Sequence, residues 1–226
     1  MKKLLITLLI IFGVVVCLGI LGRVTNAFQY YRSPTSANEP TIKRGSKFFG
    51  SNLISPKRFD FICFYGEVPT YGRQLKVYRI CGIGGDNIEI RNGDLFINNE
   101  QVDKNLRVEH FYSISKQEYE KIKENINIDE EDIIAQTSDT LMISFEDSYI
   151  SKNKINATRL ILDKTYDDSE IFKQFSQKWN QDNFGPLKVP ENKYFLLGDN
   201  RHNAMDSRYF GFIDKKEVVA TVLWKK

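Results

Sequence analysis

The chain has 226 residues, of which 42% are hydrophobic, and 32 Lys and Arg against 29 Asp and Glu leave a formal charge of +3. That length supports one well-buried core and a smaller second one. So weak a charge, with bases scattered among acids, gives no argument for a nucleic-acid-binding surface, and no nucleic-acid partner is expected. The three cysteines, Cys17, Cys63 and Cys81, and the histidines His110 and His202 lack metal-ligand spacing, so neither a metal nor a cofactor is expected.

After Lys2 and Lys3, residues 4–22 carry no charge, and at about 1.5 Å per residue a helix there spans roughly 28 Å, the thickness of a bilayer's hydrocarbon core. A single membrane anchor is expected. Positive charge ahead of it favours a cytoplasmic N-terminus, and Phe28, Tyr30 and Tyr31 suit the far interface, which places the remainder outside. A cleaved signal peptide is the alternative, with Thr25-Asn26-Ala27 as a small-residue site, but Arg23 intervenes and the apolar run exceeds a normal signal core. A lipoprotein signal is disfavoured by the bulky Val16 before Cys17.

A Ser, Pro and Thr-bearing linker, residues 32–39, leads into a β-rich region. Residues 59–65 and 75–81 read as strands, and 87–97 as two strands hinged at Asn92-Gly93, a strong hairpin signal. Cys63 and Cys81 fall within these strands and read as small core residues, with a bridge conceivable if the strands set them side by side. Ser115-Lys116-Gln117-Glu118 has the form of a capping box, opening a short peripheral helix with Tyr119 and Ile122 on one face. Residues 141–145 and 160–162 read as strands, and 168–179 as an amphipathic helix with Ile171, Phe172, Phe175 and Trp179 on one side. The lone histidines His110 and His202 are taken as surface residues.

The run Gly198-Asp199-Asn200-Arg201-His202-Asn203-Ala204-Met205-Asp206-Ser207-Arg208-Tyr209-Phe210-Gly211 follows the apolar strand 194–197 and precedes an apolar segment ending at Trp224. Its two carboxylates and two arginines could pair and hold a rigid loop. This run resembles the last signature box of bacterial type I signal peptidases, membrane serine proteases that remove signal peptides from exported proteins. Tyr78-Arg79-Ile80-Cys81-Gly82-Ile83-Gly84-Gly85-Asp86-Asn87-Ile88 is similar to that family's general-base strand and turn, and Gly93-Asp94-Leu95-Phe96-Ile97-Asn98 to the hairpin after it. Asp182-Asn183-Phe184-Gly185-Pro186 and Val189-Pro190 resemble the family's lead into its last strand pair. The resemblance implies a mainly β fold: an antiparallel core from 32–104 and 182–226, an inserted α+β lobe from 105–181, and residues 1–31 as cytoplasmic tip, transmembrane helix and interface.

A Ser/Lys protease needs an alcohol and a lysine held neutral by burial. Aligned on Pro40, Thr41 and Gly45, the family's nucleophile position is Ala37, followed by Asn38 where a methionine is usual. Aligned on Arg79, Gly82, Gly85 and Asp86, the general-base position is Tyr78, and the serine that orients the lysine is replaced by Ala204. A methyl group cannot attack a carbonyl, and a phenol with an ordinary pKa near 10 is a poor base toward an alcohol. Ser36 adjoins Ala37 but points to the other side of an extended segment. Lys76 shares Tyr78's face yet is displaced by about 6.6 Å, where proton transfer needs a gap of about 3 Å; it reads as a solvated strand lysine. Thr35 fits the family's oxyanion-hole hydroxyl, while Arg79, Asp199, Asn200, Arg201, Asp206, Ser207 and Arg208 are implied to brace the site. The resemblance therefore implies an extracytoplasmic, single-pass protein of the bacterial cytoplasmic membrane that does not cleave. Its expected partners are the lipid bilayer and signal peptides, preproteins or an active signal peptidase, held as an added β-strand. An active enzyme using Ser36 and Lys76 and a purely structural membrane protein are the alternatives.

Overall fold

A computed structural model describes residues 2–25, 27–68, 72–126 and 132–225. Helix α1 (Lys2–Val24) buries none of its residues. Among the described residues it is the one helix long and apolar enough to cross a membrane. Its exit is tied to the sheet that follows. Gln29 Nε2 donates to the Arg23 carbonyl at 2.7 Å, Asn52 Nδ2 to that of Thr25 at 2.8 Å, and Ser51 Oγ to that of Ala27 at 2.5 Å. Asn26, at the centre of the small-residue site, lies outside the described residues.

The strands are, in chain order, β1 (Gln29–Arg32), β2 (Lys47–Ser51), β3 (Phe61–Val68), β4 (Gly72–Ile83), β5 (Asn87–Arg91), β6 (Asp94–Ile97) and β7 (Glu100–Gln101). They continue with β8 (Glu109–Ser115), β9 (Ile133–Gln136), β10 (Thr140–Glu146), β11 (Ala157–Arg159), β12 (Asn183–Lys188), β13 (Lys193–Leu197), β14 (Ile213–Asp214) and β15 (Val218–Lys225). The protein is mainly β. Among the described residues three sheets form, ordered β1-β2-β15-β3-β4-β13-β14, β11-β8-β10-β9 and β12-β5-β6-β7. Every pair of neighbouring strands is antiparallel.

Strand β4 is central to the site because its second half, residues 78–82, is buried on both faces. Alternation sends Tyr78 and Ile80 into one apolar cluster with Ile62, Phe64 and Leu196, while Cys81 joins another with Phe195 and Leu197. Cys63 and Cys81 are free and buried, as core residues should be, and burial pushes both thiols up to about 12. The β5–β6 hairpin turns at Asn92 and Gly93, both with positive φ (50° and 83°), the geometry that this dipeptide favours.

Helix α2 (Lys116–Ile122) opens as expected, with Ser115 Oγ accepting from the Glu118 amide at 3.1 Å. Helix α3 (Asp147–Asn153) follows β10. Helix α4 (Ser169–Phe175) is shorter than the sequence suggests. Asp168 caps its start, and Ser176 takes a left-handed conformation (φ 55°) that ends it. Only Ile171 is fully buried; Phe172 stays 47% exposed, and Trp179 reaches Phe184 from the following loop, ring centres 4.7 Å apart. Residues 160–162 are not a strand: the Leu160 amide makes one last bond to β8, at the Phe111 carbonyl (2.8 Å), and Asp182 Oδ2 then takes the Leu162 amide. Helix α5 (Ser207–Phe210) lies within the Asp/Arg-rich loop, capped by Asp206.

The two histidines are interior, not surface, residues. His110 on β8 is fully buried, and the His202 side chain is 1% exposed against Asp182. Arg159 Nη2 lies 2.9 Å from His110 Nε2, and a guanidinium only donates, so Nε2 accepts and Nδ1–H donates to Asp147 at 2.9 Å. His202 Nδ1 accepts from the Phe111 amide at 3.0 Å, leaving Nε2–H to donate to Asp182 at 2.7 Å. These pairs bind β8 to α3, to the 198–211 loop and to the approach to β12. Sequence spacing missed them because each carboxylate partner is distant in the chain.

Candidate active site

The structure brings Ala37, Tyr78 and Ala204 into one buried cluster, each 7–8% exposed. Ala37 comes from the loop between β1 and β2, Tyr78 from β4, and Ala204 from the loop after β13. Gly198 allows this approach: a Cβ there would stand 2.3 Å from the Ala37 carbonyl oxygen and 2.4 Å from Ala204 Cβ. The Asn200 amide donates to the Ala37 carbonyl at 3.1 Å, fixing the two loops to each other. Asn38 adds a tie to β4, its Nδ2 donating to the Val77 carbonyl at 2.8 Å.

Tyr78 packs among Phe64 and Phe210, with ring centres 6.3 and 6.0 Å away. Burial pushes its phenol well above the usual range, and Asp206 adds to the shift while Arg208 opposes it. At neutral pH this group holds its proton.

Around that apolar centre lies a shell of buried ion pairs. Arg79, on the opposite face of β4 from Tyr78, donates Nε and Nη2 to the two Asp199 oxygens at 2.6 and 2.5 Å. It also reaches the Phe59 carbonyl at 2.7 Å and Thr41 Oγ1 at 3.2 Å. Asp206 and Arg208 pair within the final loop, Nε to Oδ1 at 2.9 Å and Nη2 to Oδ2 at 2.8 Å. Asp206 also accepts from the Gly198 amide, and Ser207 Oγ accepts from Leu196 at 2.9 Å. Arg201 leaves the loop to grip Asp103, Nη1 and Nη2 at 2.7 and 2.6 Å. Charge pairing within the loop is thus one pair, and two further arginine–aspartate pairs tie it outward.

Ser36 and Lys76 have separate engagements. Ser36 Oγ accepts from Asn203 Nδ2 at 3.0 Å. Lys76 lies over the Phe210 ring, and its Nζ donates to the Glu67 carbonyl at 3.1 Å. Glu67 stands opposite Arg73, toward the β3–β4 turn, so the amine is directed away from Tyr78. Lys76 is half-buried rather than freely solvated, and desolvation lowers its pKa while the Glu67 charge opposes this. Thr35 is exposed, its carbonyl accepting from Ser33 Oγ at 3.0 Å.

Residues 3–225 match the family described as Signal peptidase, peptidase S26. The chain belongs to the signal peptidase family. Signal peptidase I of Buchnera aphidicola subsp. Baizongia pistaciae is 31% identical over 218 residues, covering 86% of this chain and 68% of its own length. Signal peptidase I P of Bacillus subtilis subsp. natto is 26% identical over 200 residues, covering 86% of this chain and 75% of its own. A crystal structure of a signal peptidase I from Enterococcus faecalis aligns with 75% of this chain and 98% of its own, at 25% identity and a TM-score of 0.35.

In this signal peptidase family chain, sequence reading missed a second group of polar residues beside the loop that carries Ala37. Glu109 Oε2 accepts from Asn200 Nδ2 and from Ser144 Oγ, both at 3.1 Å. Glu109 and Ser144 line a cleft of about 390 Å³ with Glu39, Pro40 and Glu146. A sequence signal existed in the alternation through β8, but the buried positions there include His110 and Tyr112, which do not read as core.

Proposed function

We propose that this protein is a membrane-anchored, non-cleaving member of the signal peptidase family that binds extended peptides. The carrying observation is that Ala37, Tyr78 and Ala204 meet as a packed apolar cluster where a Ser/Lys protease needs an alcohol beside a neutral amine. The same neighbourhood keeps its buried arginine–aspartate braces. An unpaired buried charge would be costly, so those pairs support a scaffold maintained without its chemistry. Helix α1 serves as a single-pass anchor in the bacterial cytoplasmic membrane, with the β core and the 105–181 lobe on the extracytoplasmic side. Signal peptides and preproteins, the substrates that the family's name implies, are the ligands proposed, held chiefly through backbone hydrogen bonds.

The test is a cleavage assay of the purified full chain, in detergent, on a preprotein carrying a signal peptide. Loss of a serine-protease nucleophile and base lowers kcat by roughly a million-fold, so no product above background is expected. Cleavage that disappears on Ser36→Ala or Lys76→Ala would overturn the reading and establish that pair. The combined change Ala37→Ser, Tyr78→Lys and Ala204→Ser is expected to restore measurable cleavage, since the proposal confines the loss to these positions. Binding of the same signal peptide by the unaltered chain separates a peptide binder from a purely structural protein.

A further inference from the structure

The cleft beside Pro40 begins two residues after Ala37 and shares Asn200 with it. The Asn200 backbone amide holds the Ala37 carbonyl while its side chain holds Glu109. A chain lying across Ala37 therefore has the cleft within reach of one of its side chains. The charges there are unevenly matched. Arg107 is exposed and committed to Glu146, with Nη2 at 2.7 Å. Glu39 accepts from the Arg44 amide at 2.8 Å, and the Lys43 and Arg44 side chains stand exposed at the rim. Glu109 lies deeper, partly buried, and its two hydrogen-bond donors, Asn200 and Ser144, are both neutral.

We infer that this cleft is a subsite for a cationic side chain, lysine or arginine, of an extended peptide lying over Ala37. The inference rests on the peptide-binding reading and adds a preference to it. Lys43, Arg44 and Arg107 also line the cleft, but an anionic side chain reaching Glu109 would face a second acid, and an apolar one would forgo a charge-assisted bond to it. A cation reaching past the rim meets the Glu109 carboxylate, whose donors Asn200 and Ser144 are neutral, and charge-assisted hydrogen bonds are the stronger kind. Burial, then the neighbouring charges of Glu39, Asp132 and Glu146, raises the Glu109 pKa to about 8, against the lowering effect of Ser144. Cation binding requires the ionised carboxylate, so it releases a proton and strengthens as pH rises through that value. The lysine ligand stays charged to beyond about pH 10.

The experiment uses the full chain in detergent and two labelled, N-acetylated, alanine-rich peptides of about ten residues, identical except for a central lysine or norleucine. The lysine peptide is expected to bind about tenfold more tightly at about pH 8.5, with the advantage shrinking by about pH 6.5. Glu109→Gln is expected to abolish the difference between the peptides. Equal affinities at both pH values would overturn the subsite and leave peptide binding standing. No binding of either peptide would sink the peptide-binding reading and this inference with it. A lysine preference that ignores pH and survives Glu109→Gln would remove the cation from this cleft. The pH series on the unaltered chain decides the matter should Glu109→Gln fail to fold.

Discussion

At Gly198 a hydrogen atom takes the place that a side chain has in every other residue type, and two loops close over it. The nearest atom to a built Cβ is the Ala37 carbonyl oxygen at 2.3 Å, which is backbone and is held by the Asn200 amide. Relief by a side-chain rotation is therefore closed, and the loops must part. Overpacking of this kind costs about 1–3 kcal/mol, occasionally more, or a melting temperature lower by about 2–12 °C in a chain of this size. Gly198→Ala is expected to show that loss in thermal unfolding and to weaken peptide binding. Gly19→Ala on α1, where a Cβ meets nothing within 4 Å, serves as the neutral control. An unshifted melt in Gly198→Ala would mean that Ala37 and Ala204 are not held as closely as described.

Between elements, a buried two-pronged pair joins β4 to the final loop through Arg79 and Asp199, whose side chains are 8% and 1% exposed. Removing the guanidinium strands a buried carboxylate, which costs about 3–5 kcal/mol, whereas replacing both partners with apolar groups of similar volume is often close to neutral. Arg79→Ala should therefore lose that amount in urea unfolding, and Arg79→Met with Asp199→Leu should recover most of it. A double variant as unstable as the single one would contradict this account. Elements differ in how far the sequence reveals them, for the same reason of locality. The Asn92-Gly93 turn and the Ser115 cap are legible because their chemistry is completed within a few residues. Strand β8 is not, because its inward positions carry His110 and Tyr112, whose polar atoms are satisfied by Asp147 more than thirty residues away. The same limit applies at the site. Motif register identifies Ala37, Tyr78 and Ala204 one by one, but the Arg201–Asp103 grip spans 98 residues and no local pattern announces it.

For the whole molecule, groups of opposite sign set how stability depends on pH. His110 is held neutral: burial, and lesser repulsion from Arg159 and Arg201, lowers its pKa against the pull of Asp147. An unfolded histidine titrates near 6.5, so this contribution is fully present above about 6.5 and is lost as pH falls toward the folded value. Asp147 and Asp182 are also lowered despite burial, through hydrogen bonds from His110 and His202, and they add a further loss below about pH 4. Glu109 has the opposite sign. Raised to about 8 from an ordinary value near 4.3, its contribution is complete at low pH and declines as pH rises through the folded value. From about pH 4.3 to 6.5 the histidine opposes Glu109 and also Glu39, whose carboxyl burial raises as well; above about 6.5 the histidine's contribution is complete and the Glu109 decline shows, while the buried thiols begin to matter only above about 8.5. The limiting slope for one proton is about 1.4 kcal/mol per pH unit, and a partly buried carboxylate gives less. Urea unfolding between about pH 5 and 9 should thus show greatest stability near pH 6 and a decline of up to about 1 kcal/mol by pH 8. Glu109→Gln carries no titrating proton, so its stability should stay level from about pH 6.5 to 8. A decline of undiminished size in that variant would show that a different group, and not the carboxylate facing the cleft, takes the charge.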